Sequence, residues 1–479
     1  MNINLNPNKE LFKWGPIDGR PMYVDYWFYG MKATAQRYRS WPSFLMNITN
    51  ERIYFVCEYQ PLRDIGEENF KRFILNDKRF KQNWNEWQHD VNELLKFLKS
   101  VTPEKLAKAS QEALAILFDT LEKRYSQFWT VGLLPEISNW GGEQLLKREL
   151  EKKIPHANDI VHAFEQLSAP EDHSFYQAEE LDLLKVKLGK RNVETHQQQW
   201  FWMLNSYHDT KILPVDYFQK ELDKMTLKDT QQKMKVITAY SKKTVKEKKE
   251  IIKQFKLGKE IEKTSKRLSF CIWWQDNRKK YVFMVDHYID MFLNEISKRF
   301  QINNHELHYY QVADINELLQ HNKKLSRSEI NKRLSNFLKY YDEQSNNIQL
   351  FVGDGAQKII EPFYAINVDK NQKELKGMVV SKGRGNITGT VKIIHSPHEA
   401  HKMNKGDILV ASMTSPDYIV AMRKASAVIT DEGGMTAHAA IVSRELGIPC
   451  ICATKIATKL LKDGDRVEIN VKESKVTKL

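Results

Sequence analysis

The sequence predicts a multi-domain protein with a mainly α-helical N-terminal region and a C-terminal domain that mixes strands and helices. The chain has 479 residues, enough for about two to four domains. Up to about residue 350, apolar side chains recur mainly at the three- and four-residue spacing of amphipathic helices. In the C-terminal part, an apolar strand-like run ends at Thr430, a glycine pair follows, and residues 437–446 favour a helix.

Three segments carry the first part of the helical prediction. The clearest begins at Thr102, an N-cap residue followed by Pro103 at the first helical position, and its apolar stripe continues to Leu121. Residues 90–100 repeat the same apolar spacing. Residues 194–207 are dense in aromatic side chains, which indicates a buried helix, with the wall of a cleft as the functional alternative.

The lysine-rich segment 241–267 predicts a solvated amphipathic helix. Its lysines are interleaved with glutamates, and apolar residues fall on one face, which distinguishes it from a nucleic-acid-binding arm. Residues 268–300 continue in a helical pattern. The whole chain has 74 Lys and Arg against 61 Asp and Glu, a net charge of +13. Because this charge is spread along the chain, we expect no nucleic-acid partner.

The cysteines and the lengths of the apolar runs indicate the cellular compartment of the protein. Of four cysteines, Cys450 and Cys452 lie in a strand-like run, and we expect their side chains to point to opposite faces and to form neither a disulfide nor a zinc site. The chain contains no run of 18 apolar residues and begins without a basic and apolar leader pattern. These features predict a cytoplasmic protein without a membrane partner.

The most informative stretch surrounds His438. A strand-like run ends at Thr430, Gly433 and Gly434 allow a sharp turn, and residues 437–446 favour a helix. His438 would then lie in the first helical turn, where unpaired N–H groups and the helix dipole stabilise an anion and keep the imidazole neutral. Thr436 could cap this helix or bind a phosphoryl oxygen. A capped turn with a surface histidine is the alternative.

Other candidates are weaker. Arg444 and Arg384 are the two further residues considered for phosphate contact. We predict no metal site, because short polar turns explain two groups of histidines more simply than metal binding does. These histidines are His305 with His308, and His395 with His398 and His401.

The context of His438 resembles the phosphohistidine signature of the PEP-utilising enzymes, among them phosphoenolpyruvate synthase, pyruvate phosphate dikinase and rifampicin phosphotransferase. The signature is Gly433-Gly434-Met435-Thr436-Ala437-His438-Ala439-Ala440-Ile441-Val442-Ser443-Arg444, followed by Glu445-Leu446-Gly447-Ile448-Pro449. The flanking motifs Gly383-Arg384-Gly385, Gly406-Asp407-Ile408, Thr414-Ser415-Pro416-Asp417 and Asp463-Gly464-Asp465 follow in the family's order.

The resemblance implies a swivelling β/α domain whose histidine, His438, is phosphorylated at one site and discharged at another. It divides the chain into a helical region over 1–366 that binds an acceptor or partner, a hinge over 367–382 and a phosphohistidine domain over 383–479. Residues 343–376 read as polar and loop-like. Residues 305–319 resemble a short strand followed by a helix that precedes the swivelling domain in the larger relatives.

The resemblance also implies a phosphotransferase that depends on a second protein. Nothing before residue 370 reads as an ATP-grasp domain or a PEP-binding barrel, and Gly141-Gly142 stands alone. We therefore expect the donor, ATP or PEP with its Mg²⁺, on a separate protein, no cofactor on this chain, and a small-molecule acceptor. The alternatives are a non-enzymatic phosphocarrier with a regulatory role and a degenerate scaffold.

Overall fold

The computed structural model describes residues 3–364, 372–414, 418–435 and 437–479, without the side chains of residues 157 and 158. Residues 3–364 form what we call the N-terminal part, and residues 372–479 form the C-terminal domain. The described helices include none long and apolar enough to cross a bilayer.

The N-terminal part is mainly helical, as predicted. The first six helices are α1 (Pro21–Ala35), α2 (Tyr59–Asn69), α3 (Asp77–Lys99), α4 (Pro103–Lys108), α5 (Gln111–Gly132) and α6 (Leu134–Glu151). The next six are α7 (Ala157–Ser168), α8 (Phe175–Lys187), α9 (Val193–Trp200), α10 (Val215–Asp223), α11 (Leu227–Gln254) and α12 (Lys259–Phe300). Four more follow, α13 (Asn304–Leu307), α14 (Val312–His321), α15 (Arg327–Ser335) and α16 (Gly353–Tyr364).

A five-stranded antiparallel sheet, which the sequence analysis missed, lies within this part. Its strands are β1 (Leu11–Asp18), β2 (Phe44–Thr49), β3 (Arg52–Glu58), β4 (Phe337–Asp342) and β5 (Asn347–Val352), in the order β1-β3-β2-β4-β5. On β2, Phe44 and Met46 join the large helical core, whereas Leu45 packs with α16 on the other face. Both faces are covered, so the alternation of polar and apolar residues that marks a half-buried strand is absent.

Several predicted boundaries were wrong. The apolar stripe after Thr102 belongs to two helices, because Ala109 is extended and Ser110 caps α5. The buried helix predicted over 194–207 ends at Trp200, and the lysine-rich segment is interrupted at residues 255–258 between α11 and α12. The strand predicted near His305 is the short helix α13. The region 343–376, predicted to be loop-like, contains β5 and α16.

The C-terminal domain is an eight-stranded mixed sheet with short helices. Its elements are β6 (Glu374–Lys376), β7 (Met378–Ser381), β8 (Ile387–Ile393), β9 (Ile408–Ala411), α17 (Ile419–Met422), β10 (Ala427–Thr430), α18 (His438–Leu446), β11 (Cys450–Cys452), α19 (Ala457–Leu460), β12 (Arg466–Asn470) and β13 (Lys475–Lys478). The strand order is β6-β13-β12-β8-β9-β10-β11-β7, and β8 to β11 run parallel. Separate hydrophobic clusters pack with α18 and with α19.

The structure describes only part of the predicted hinge over 367–382. Residues 365–371 lie outside the described part of the chain. Residues 374–381 form β6 and β7, which pair with β13 and β11 in the C-terminal sheet. The structure therefore places strands in the second half of the predicted hinge.

The prediction that Cys450 and Cys452 point to opposite faces was wrong. Residues two apart on a strand share a face, and both side chains are buried with their Sγ atoms 3.7 Å apart as thiols.

Candidate functional site

The helix α18 begins at the histidine that the sequence analysis singled out. After β10, Gly433 adopts a φ of +115°, and an added Cβ there would lie 3.1 Å from the Ala437 Cβ. Ala437 is the N-cap residue and makes no side-chain capping bond. Gly447, with a φ of +65°, ends the helix. No side chain at the N-cap therefore covers the first-turn N–H groups, which lie beside the His438 ring.

The His438 ring is held by a buried hydroxyl. Its Nδ1 atom lies 2.9 Å from Oγ1 of Thr414, and Thr414 is 4% exposed. Burial, and then the positive charge of Lys279, hold the pKa of His438 well below its usual value. The ring is therefore neutral near pH 7, and burial, which the sequence analysis did not consider, is the main cause.

His438 opens onto a cavity of about 160 Å³ between the two parts of the chain. Met413, Thr414, Gly433, Gly434, Ala437 and His438 line it from the C-terminal domain. From the N-terminal part it receives aromatic side chains and the polar residues Lys13, Glu136, Asn139, Gln275, Arg278 and Lys279. A pocket that contains a neutral histidine, polar groups and an aromatic wall has the composition of a ligand site.

Basic side chains reach this cavity from β1 and α12. The Arg278 guanidinium pairs with Glu136 and donates to the carbonyl of Gly132 at 2.6 Å. Burial lowers the pKa of Lys13, and the charge of Glu432 opposes this shift. Burial and the neighbouring Asp431 raise the pKa of Glu432 to about 8. Lys279 therefore contributes positive charge next to His438, while Arg278 is already paired with a carboxylate.

Hydrogen bonds and apolar contacts join the two parts of the chain. The Ser412 hydroxyl donates to the carbonyl of Gly15 at 3.2 Å, and the Ser396 hydroxyl donates to Asp18. Met435 and Ile441 pack against a hydrophobic cluster built from α6, α7 and α12. The turn and helix that carry His438 thus dock on the N-terminal part.

The other predicted site residues have different positions. Gly433 and Gly434 line the cavity with His438. Arg444 donates from Nε to the Val380 carbonyl at 2.9 Å and from Nη2 to the Met435 carbonyl. These bonds engage its guanidinium with the backbone of β7 and of the turn before His438. Arg384 is exposed and does not line the cavity. Thr436 lies outside the described residues.

Three of the histidines considered as metal ligands, His305, His308 and His401, contact carboxylates or backbone. His305 Nε2 lies 2.6 Å from Glu51, and His208 contacts the same carboxylate at 2.6 Å. Burial lowers the pKa of His308 to about 3. His401 Nδ1 lies 2.9 Å from the His398 carbonyl. Across the described ranges, no group of three or more His, Cys, Asp or Glu side chains has a metal-binding arrangement.

Sequence reasoning did not assign roles to Thr414 and Lys279. Thr414 was part of a quoted flanking motif, so its position in family order was a usable signal. Lys279 lies on α12, in a segment noted only for its helical pattern. Its approach to His438 depends on how the two parts dock, and no local motif reports that.

Comparison with known proteins agrees with the C-terminal geometry. The family model "PEP-utilising enzyme, mobile domain" matches residues 403–474. A probable phosphoenolpyruvate synthase of Archaeoglobus fulgidus is 40% identical over 160 residues, covering 30% of this chain and 21% of that protein. The phosphoenolpyruvate synthase of Pyrococcus furiosus is 51% identical over 106 residues, covering 22% and 13%. That of Escherichia coli is 43% identical over 102 residues, covering 20% and 13%.

The match is confined to one region of these relatives. The chain spans about a fifth or less of the length of the curated relatives that it matches. The structure of Thermococcus kodakaraensis aconitase X in its holo-form overlaps 22% of this chain and 99% of its own at 20% identity and a TM-score of 0.19. The sequence matches show that residues 403–474 are similar to the mobile domain of the PEP-utilising enzymes.

Proposed function

We propose that the protein is a phosphotransferase subunit in which His438 carries a phosphoryl group from ATP or PEP to a small-molecule acceptor. One observation supports this most directly. The neutral ring of His438, at the start of α18, faces a cavity that both parts of the chain line. A carrier histidine requires this combination of a nucleophilic imidazole and room for a phosphoryl group and a second molecule beside it.

Thr414 gives the ring its orientation in this proposal. With the proton on Nδ1, the ring donates to Oγ1 of Thr414 at 2.9 Å. The lone pair then lies on Nε2, which attacks the terminal phosphorus of the donor in line. As the Nε2–P bond forms, the bond from phosphorus to the leaving oxygen breaks.

The chain supplies positive potential where the phosphoryl oxygens would lie. The first-turn N–H groups of α18 contribute the partial positive charge of a helix N-terminus. Lys279 adds a full charge close enough to act on the pKa of His438. The N–H groups move with His438 and are in place when the phosphoryl group arrives, which is the arrangement that stabilises developing negative charge. Lys279 belongs to α12 and acts on the phosphoryl group when the C-terminal domain is docked on the N-terminal part.

The donor and its Mg²⁺ belong, in this proposal, to a separate ATP-grasp or PEP-binding protein. The C-terminal domain would leave the N-terminal part to be charged and return to discharge. The metal would neutralise phosphate oxygens on the donor.

Labelling tests the carrier step. The full chain is incubated with γ-³²P-ATP or ³²P-PEP, Mg²⁺ and a host extract as the source of the donor protein. We expect acid-labile, base-stable label on the wild-type chain and its loss in His438→Ala. His401→Ala, which changes an exposed histidine of the same domain, is the matched control and should label normally. Equal labelling of wild type and His438→Ala would refute the proposal. Label that no small molecule ever removes would instead favour a non-enzymatic phosphocarrier.

A further inference from the structure

The wall of the cavity opposite His438 is aromatic. Trp14 and Trp27 have ring centroids 5.9 Å apart, and Trp27 lies 6.0 Å from Trp129. Trp41 packs edge to face on Phe55 with a centroid distance of 5.5 Å. These five residues all line the cavity. Such a surface favours stacking or edge contacts with a planar ring.

Unpaired polar atoms occur on the same wall. The indole Nε1 atoms of Trp27 and Trp41 are buried and find no hydrogen-bond partner among the described residues. The Oδ1 atom of Asn139 is likewise buried and unpaired within that part of the chain, while its Nδ2 donates to Gln275 at 2.7 Å. Each unpaired buried group costs about 1–3 kcal/mol. An occupant with both an acceptor and a donor would satisfy those of these groups that it reaches.

The charges restrict the occupant further. Three basic side chains line the cavity: Lys13, Arg278 and Lys279. The lining has one carboxylate, Glu136, and its other members, such as Gly434, are neutral. Arg278 pairs with that carboxylate, and Lys279 acts on His438. Although aromatic cages also bind quaternary ammonium groups, this excess of positive charge disfavours a cation. It suits a neutral or anionic molecule.

The size of the cavity is the last restriction. At about 160 Å³, it is smaller than the roughly 300–1,000 Å³ typical of sites for drug-sized ligands. One or two rings, with the group to be phosphorylated at the His438 end, match this volume.

We propose that the cavity binds a small, planar aromatic molecule with a hydroxyl group, and that this hydroxyl is the acceptor. The inference rests on the proposed function for the transfer step, but not for binding. In the transfer, the hydroxyl oxygen forms a bond to phosphorus and the Nε2–P bond breaks. The electron pair returns to the imidazole, and the hydroxyl proton is released to water.

Ligand-observed NMR on the full chain tests the class of ligand without any donor. Saturation-transfer difference spectra are recorded with phenol, 2-naphthol, cyclohexanol and choline, for wild type and for His438→Ala. We expect saturation of the two aromatic alcohols by both proteins, and little of cyclohexanol or choline. Equal saturation of cyclohexanol, or a preference for choline, would overturn the aromatic assignment.

Two conservative substitutions locate the site. Trp41→Phe keeps an aromatic ring but removes the indole N–H, and loss of a hydrogen bond worth about 1 kcal/mol weakens binding about fivefold. Trp87→Phe makes the same change at a buried indole whose Nε1 is also unpaired among the described residues, but which does not line the cavity. It should leave binding unchanged. Equal effects of the two changes would place the ligand elsewhere.

The binding and labelling experiments test the two proposals independently. If His438→Ala binds aromatic alcohols but the wild-type chain is never labelled, the carrier function fails while the ligand assignment stands. If His438 is labelled and no aromatic alcohol binds, the ligand assignment alone fails.

Discussion

At the scale of single residues, the surroundings of His438 keep its ring unprotonated, which is the form that can act as a nucleophile. Burial and Lys279 lower the pKa of the ring, while Thr414 contacts Nδ1. The neighbouring positive charge favours a bound phosphoryl group and disfavours imidazolium, so one lysine serves both effects. On an exposed turn, solvent would screen the charge of the lysine, and its effects on the phosphoryl group and on the imidazolium would both be lost.

The first prediction concerns the titration of His438. Because its folded pKa lies well below 6.5, its ring resonances should not shift between pH 7.5 and 6 in ¹H–¹³C spectra, where an ordinary imidazole begins to titrate. Lys279→Gln removes a positive charge and should move the His438 pKa upward. Lys266→Gln, an exposed position on the same helix, is the control. Resonances are assigned by their absence in His438→Gln, and a midpoint near 6.5 in the wild type would contradict the burial argument.

The lowered pKa of His438 also makes the free energy of unfolding depend on pH in a definite direction. The unfolded chain binds a proton at His438 near pH 6.5, whereas the folded chain does so only at lower pH. The free energy of unfolding therefore falls as pH decreases below 6.5. His308, with a pKa of about 3, acts in the same direction, so acid should destabilise the protein through both rings.

At the scale of elements, close helix packing explains the glycines that had no role in the sequence analysis. An added Cβ at Gly141 on α6 would lie 1.8 Å from the backbone nitrogen of Glu67, and one at Gly66 on α2 would lie 2.6 Å from the Ile137 carbonyl oxygen. The two helices therefore approach backbone to backbone. Gly141 belongs to a helix crossing and not to a phosphate-binding loop.

The second prediction follows from this crossing. Gly141→Ala should destabilise the protein by about 3 kcal/mol, the upper end of the usual overpacking range, because backbone atoms cannot move aside as a side chain can. The control is Gly355→Ala on α16, where an added Cβ meets nothing within 4 Å, and alanine there should be neutral or stabilising by up to about 1 kcal/mol. Urea unfolding measures both, and equal midpoints for the two variants would contradict the packing argument.

At the scale of the whole molecule, a buried ion pair joins distant parts of the sequence. The side chains of Lys339 on β4 and Asp25 on α1 are 4% and 1% exposed, respectively, and form a salt bridge. Asp25 Oδ2 also accepts from the backbone nitrogen of Val312 at 2.8 Å. The pair therefore connects the first helix to β4 and to the start of α14.

The third prediction concerns this pair. Lys339→Met leaves an uncompensated buried carboxylate and should cost about 3–5 kcal/mol of unfolding free energy. Asp25→Asn with Lys339→Met removes both charges and should recover part of that loss. Thermal unfolding gives both values, with Lys266→Met as the exposed control. A single variant no less stable than the double variant would show that the two charges do not depend on each other.

Sequence analysis predicted the structure best where contacts between near neighbours in the chain determine it. The Gly433-Gly434 turn, the start of α18 at His438 and the long helix after residue 268 depend on contacts between near neighbours, so their residue types report them. The five-stranded sheet was missed because β4 and β5 come some 280 residues after β3. Strand β4 is buried on both faces, which removes the alternation by which a strand is recognised.

The sequence by itself singled out His438 as the candidate nucleophile, through the paired glycines before a helix start and through the resemblance of the surrounding residues to the phosphohistidine signature. Only the tertiary structure decided what this histidine faces. Thr414, Lys279 and the tryptophans of the cavity wall come from separate segments of the chain. Their convergence depends on packing between the two parts, and side chains that meet only through such packing leave no shared spacing in the sequence.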